Sequence, residues 1–229
     1  SIIGVVSDAG EWLGQATFNA HTLICGRVMT RNRKDVIDQK FLATRLTKAL
    51  RLREQLFDGH CYRLVNAEAD GLPGIIIDRY GSAVSLQLNT AGAERFKDML
   101  LRAIETVLVP DVIVLRNDSA ARSLEGLNTY CDVIKGTVDQ PVRLCENGII
   151  FFADLLHGQK TGWFFDQRYN REFIASLAAG SSLLDCYSYS GGFAVYALVR
   201  GASGAVALDT SAGALALASL SADANGVGD

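Results

Sequence analysis

The stretch Leu183-Leu184-Asp185-Cys186-Tyr187-Ser188-Tyr189-Ser190-Gly191-Gly192-Phe193 constrains the fold of this chain more than any other. A short apolar run ends in a carboxylate, a turn of small residues and glycines follows, and an alanine-rich helical segment takes over. Ala205-Val206-Ala207-Leu208-Asp209 then repeats the motif of a strand ending in an acid, 24 residues after Asp185. Read together, the two units are the opening β-α-β of a Rossmann-like parallel sheet. Two strand-end carboxylates at this spacing fit a cofactor with an adenosine moiety.

In such a sheet, ligands bind outside the carboxyl ends of the strands. Gly191-Gly192 at the helix start lets a ligand approach the backbone. The acid after the second strand, Asp209, can accept both hydroxyls of a ribose. A nicotinamide dinucleotide would need G-x-G-x-x-G here to seat its pyrophosphate. Tyr187 and Tyr189 stand where the first two glycines would fall, so a pyrophosphate fits poorly. S-adenosylmethionine carries no phosphate and does not need them. The turn favours the methyl donor over NAD.

The rest of the chain divides by its periodicity. Ile2–Val6, Trp12–Phe18 and Leu23–Met29 read as short strands of a small barrel or sheet. From Val36 the apolar positions Phe41, Leu42, Leu46, Ala49 and Leu50 recur at helical spacing up to a break at Asp58-Gly59. Strands are expected at Tyr62–Asn66, Ile75–Asp78, Ala83–Leu88 and Val112–Arg116, with one helix over Ala93–Leu108. Asn147-Gly148 marks a hairpin between Val142–Leu144 and Gly148–Ala153. Helices at 166–178, 193–199 and 211–224 alternate with strands at 182–185 and 204–208. The fold class is α/β and α+β, multidomain: a partial barrel (1–33), a basic connecting helix (34–58), a central α+β domain (59–145) and a partial Rossmann-like domain (146–229).

Composition limits the function classes. No apolar run reaches the roughly 18 to 20 residues that span a bilayer, and five scattered cysteines without a C-x-x-C pair argue for reduced thiols in the cytoplasm. The three histidines are isolated, so no metal site is expected. The net charge is −3, yet nine basic residues between Arg27 and Arg53 face only Asp35 and Asp38. That strip suits a phosphate-rich partner, with Arg27, Arg31, Arg33 and Lys34 as its leading candidates, and it equally suits a solvated helix face.

Three motifs together carry a resemblance: Asp185 to Phe193; Lys160-Thr161-Gly162 with Asp166-Gln167-Arg168; and Glu68-Ala69-Asp70-Gly71-Leu72-Pro73-Gly74 with Asp78-Arg79-Tyr80-Gly81. They resemble the bacterial class I methyltransferases that make 5-methylcytosine in large-subunit ribosomal RNA and carry an N-terminal PUA domain. The resemblance implies that residues 1–33 are a PUA-like RNA-binding barrel remnant and that S-adenosyl-L-methionine is the cofactor. Its methionine part would lie near Lys160, Thr161, Gly162 and the turn Tyr189, Ser190, Gly191, Gly192. Its ribose would lie on Asp209, with Gln167, Arg168 and Asp185 lining the same cleft. The partner implied is large-subunit ribosomal RNA, and a homodimer is left open. The start lacks methionine and opens in mid-strand, so more chain is expected upstream. The family's nucleophilic cysteine and D-P-P loop are expected beyond Asp229, so the chain alone is expected to be inactive. The alternatives are a non-catalytic RNA-binding module and an NAD-dependent enzyme.

Overall fold

The computed structural model describes residues 1–139 and 141–228, and the chain forms two compact units, Ser1–Thr137 and Val138–Asp229. The expected boundary at 145/146 falls inside a hairpin that belongs to the second unit.

The first unit opens with three antiparallel strands, β1 (Ile2–Val6), β2 (Trp12–Phe18) and β3 (Gly26–Thr30). This sheet is open; no closed barrel occurs among the described residues. The third strand begins later than its apolar start suggests. Leu23 and Ile24 are solvent-exposed, because Asn19 N–H bonds the Cys25 carbonyl at 2.8 Å and closes a loop ahead of the strand. Helix α1 (Gln39–Leu56) starts after Asp38, whose carboxylate accepts the Phe41 N–H at 2.8 Å. Leu42, Leu46 and Ala49 turn one face into the core.

Five strands follow: β4 (Cys61–Asn66), β5 (Ile75–Tyr80), β6 (Ala83–Leu88), β7 (Val112–Asn117) and β8 (Tyr130–Lys135), in that spatial order. All neighbours are antiparallel except β6 and β7, which are parallel and therefore need a crossover. The crossover is two helices, α2 (Ala91–Arg95) and α3 (Lys97–Leu108), where the sequence pattern predicts one. The break is Phe96, at φ −90° and ψ 2°, whose ring is buried in the core. A short helix, α4 (Ala121–Leu124), and edge strand β8 escape the periodicity, β8 because it is largely exposed and has no buried face to set an alternation.

The second unit begins with the hairpin β9 (Val142–Glu146) and β10 (Ile149–Ala153). Asn147 and Gly148 turn it at φ 52° and 81°, as a two-residue turn with both residues left-handed requires. Helix α5 (Arg168–Ala178) leads to β11 (Ser182–Cys186), α6 (Gly192–Val199), β12 (Gly204–Leu208) and α7 (Ala212–Ala224). β11 and β12 pair in parallel, Asp185 opposite Ala207, as the two acid-ended runs predict. The end of α7 grips the hairpin edge: the Asn225 side chain accepts from Ile150 N–H at 3.1 Å and donates to its carbonyl at 2.7 Å.

Candidate functional site

A cavity of about 390 Å³ opens beyond the carboxyl ends of β11 and β12, between the turn 187–193, the loop 159–167 and the first residues after β12. Its walls include Gln159, Trp163, Phe164, Gln167, Arg171, Tyr187, Ser188, Tyr189, Ser190, Gly192, Phe193, Asp209 and Thr210.

The turn is built from left-handed backbone at every second residue: Tyr187 at φ 59°, Tyr189 at 49° and Gly191 at 70°. The first two are costly for residues with a Cβ, roughly 1 to 3 kcal/mol each. Glycine is required at 191, where a Cβ would lie 2.6 Å from Ala218 Cβ. Asp209 holds the turn in place. One carboxylate oxygen accepts the Tyr189 N–H at 2.8 Å and the other the Ser211 N–H at 2.9 Å. These N–H groups keep its carboxyl below the ordinary range. The Thr210 N–H also bears on this carboxylate, and the lone pairs left over can serve a ligand.

Asp185 behaves differently. It turns toward α6 and accepts the Ala194 N–H at 3.2 Å. Burial pushes its carboxyl up against that hydrogen bond, and the neighbouring Asp209 adds to the rise.

The loop side is anchored by a buried charge cluster that sequence reasoning missed. Glu146 is fully buried and accepts from Arg171 at 2.7 and 2.8 Å and from the Trp163 indole at 3.2 Å; Arg168 lies 3.4 Å away. Burial lowers the Arg171 guanidinium while Glu146 counters it. The same guanidinium sits 4.6 Å over the Trp163 ring, whose other neighbour is Phe151 at 4.7 Å. Tyr189 ties the loop to the turn: its hydroxyl accepts from Gln159 N–H at 3.0 Å and donates to the Gly162 carbonyl at 3.2 Å.

Of the residues expected to bind cofactor, Gln167, Tyr189, Ser190, Gly192 and Asp209 line this cavity. Gly191 shapes the turn beneath it. Lys160, Thr161 and Gly162 form the adjoining loop. Thr161 is buried, and the exposed Lys160 lies 4.1 Å over the Phe164 ring and 3.4 Å from Asp166. Burial raises the Asp166 carboxyl, but Lys160 and nearby hydrogen bonds outweigh it and the net shift is downward. Arg168 is buried toward Glu146. Tyr187 is 92% exposed at the cavity mouth. In the first unit, Arg31, Arg33 and Lys34 are all exposed, and Arg33 lies 5.0 Å over Trp12. Arg27 is engaged by Glu68 at 3.2 Å and Glu125 at 3.3 Å.

The unsatisfied groups of the cavity suit an S-adenosyl ligand. Ser188 and Ser190 hydroxyls are buried with no hydrogen-bond partner, and both residues line the wall. Buried hydroxyls without partners are costly, and the charged amino acid end of such a ligand would supply partners for them. Asp209 offers free lone pairs to a ribose. The donor set fits.

Two ribosomal RNA large subunit methyltransferases I are similar to almost the entire chain. The protein of Alteromonas mediterranea is 39% identical over 99% of this chain, and that of Photobacterium profundum is 40% identical over 98%. The chain spans 58% of the length of these curated relatives. Among solved structures, a protein of Streptococcus mutans assigned to the SAM-dependent methyltransferases superposes over 99% of this chain and 59% of its own, with a TM-score of 0.85 at 24% identity. A second, assigned as a methyltransferase and complexed with SAH, gives a TM-score of 0.85 at 23% identity. At these identities the likeness concerns the fold. Residues 120–227, which hold the whole cavity, match the S-adenosylmethionine-dependent methyltransferase family, whose cofactor is the one the turn predicts.

Proposed function

We propose that this chain holds S-adenosyl-L-methionine for the methylation of cytosine C5 in large-subunit ribosomal RNA. One observation carries the reading: Asp209, at a strand end, fixes a left-handed, serine-bearing turn around a cavity with two unsatisfied buried hydroxyls. In this reading Asp209 takes the ribose hydroxyls, while Ser190, Gly191 and Gly192, with Lys160, Thr161 and Gly162, surround the methionine part. Gln167 closes the wall, and Asp185 and Arg168 act as positioning residues through α6 and Glu146. When bound, the cofactor supplies an electrophilic methyl group. The three-stranded sheet is taken as the remnant of a PUA-like barrel, and the divisions at 33 and 58 remain our reading of the domains within the first unit. Arg31 and Lys34, with Arg27 and Arg33 beside them, meet RNA phosphates. The cytoplasm is the compartment that the cysteines support, none of the five being in a disulfide among the described residues.

Calorimetric titration with S-adenosylhomocysteine tests this. Micromolar binding is expected, and Asp209→Ala should weaken it by about 10- to 100-fold, as loss of a charge-assisted hydrogen bond does. NADH binding in place of S-adenosylhomocysteine would overturn it.

A further inference from the structure

Helix α1 carries Lys40, Thr44, Lys48, Arg51 and Gln55 on one exposed line, at intervals of three and four residues. The line forms one wall of a surface groove of about 760 Å³, closed on the other side by Thr106 and Val107 of α3. No carboxylate lines this groove among the described residues. The other two basic residues of α1 are spent inside the unit. Arg45 donates to the Met29 carbonyl at 3.2 Å and lies 4.8 Å over Phe41, and Arg53 clasps Asp70 with two bonds of 2.7 Å. Among the described residues, no ion pair engages Lys40, Lys48 or Arg51.

The threonines add a second chemistry. Thr44, Thr47 and Thr106 each donate their hydroxyl proton to the helix carbonyl four residues back, at 2.8 Å. What they leave for a ligand is lone pairs, which are acceptors. A phosphate cannot use an acceptor, but a ribose 2′-hydroxyl can. Three cations spread over about 16 Å of helix, interleaved with hydroxyl acceptors, match a ribose-phosphate strand better than an acidic polypeptide.

We propose that the α1–α3 groove binds the ribose-phosphate backbone of the RNA substrate. This rests on the reading that the chain acts on RNA. It extends the phosphate contacts from the strip ahead of the helix onto the helix itself.

Fluorescence anisotropy with labelled oligouridine, over salt from about 50 to about 200 mM, tests it. Lys40→Ala/Lys48→Ala/Arg51→Ala should flatten the slope of log affinity against log salt by about 2, the release from three single-strand phosphate contacts. Its glutamine counterpart at the same positions should do the same, and S-adenosylhomocysteine binding should be unchanged in both. The matching oligodeoxyuridine should bind more weakly, and equal binding would remove the ribose assignment. RNA binding with an unaltered slope overturns the groove and leaves the methyltransferase reading standing. No RNA binding by the unmodified protein overturns both. Binding of polyglutamate but not oligouridine at this groove assigns it to an acidic polypeptide and overturns the proposal.

Discussion

Glu146 has no solvent exposure and answers two guanidinium groups and an indole N–H at once. Removing one member of a buried ion cluster leaves the others uncompensated, at about 3 to 5 kcal/mol. Glu146→Gln should therefore lower the unfolding free energy by an amount in that range, read by urea titration. It should also weaken S-adenosylhomocysteine binding, because Trp163 and Arg171 form cavity wall. Sequence made Asp209, Tyr189, Ser190 and Gly192 legible because a strand end and a small-residue turn are local signals. It left Trp163, Phe164 and Arg171 unread. Their placement depends on Glu146, which is 25 residues from Arg171 and reads locally as only the residue before a hairpin turn.

At the scale of elements, Glu125 joins the end of β2 to the start of α2. It accepts from Asn19 at 2.8 Å, from the Ala91 N–H at 3.2 Å and from Arg27 at 3.3 Å. Burial pushes its carboxyl up, but these donors outweigh burial and hold it below the ordinary value. A carboxyl depressed in the folded state stabilises fully above its unfolded value, near about 4.3, and loses that contribution as pH falls through the folded value. Glu125→Ala should cost about 2 kcal/mol at neutral pH. The gap to the unmodified protein should narrow in urea titrations below pH of about 4. Long apolar elements such as α1 and β5–β7 were legible from periodicity. The split at Phe96 was not, since a buried aromatic at helical spacing fits a continuous helix as well as a broken one. Edge strand β8 carried no alternation to read, because most of its side chains meet water.

Across the whole molecule, the cavity lies within the second unit. A ligand that binds only the folded state stabilises it by about 2.7 kcal/mol at a concentration one hundred times its dissociation constant. Saturating S-adenosylhomocysteine should therefore slow amide exchange within 138–229 by up to about 100-fold, with 1–137 as internal comparison; unchanged exchange in the second unit would count against the site. The parallel pairing of β11 with β12 followed from the two acid-ended runs. The division between units did not, because the hairpin's partner is α7, some 70 residues later. Among the described residues, left-handed backbone outside glycine occurs at six positions, and three of them, Lys160, Tyr187 and Tyr189, sit in the two segments that frame the cavity. A census of left-handed dihedral angles outside glycine would therefore point to these two segments without the help of any motif. Relatives in which glycine counting finds no cofactor turn can be sorted by the same measure.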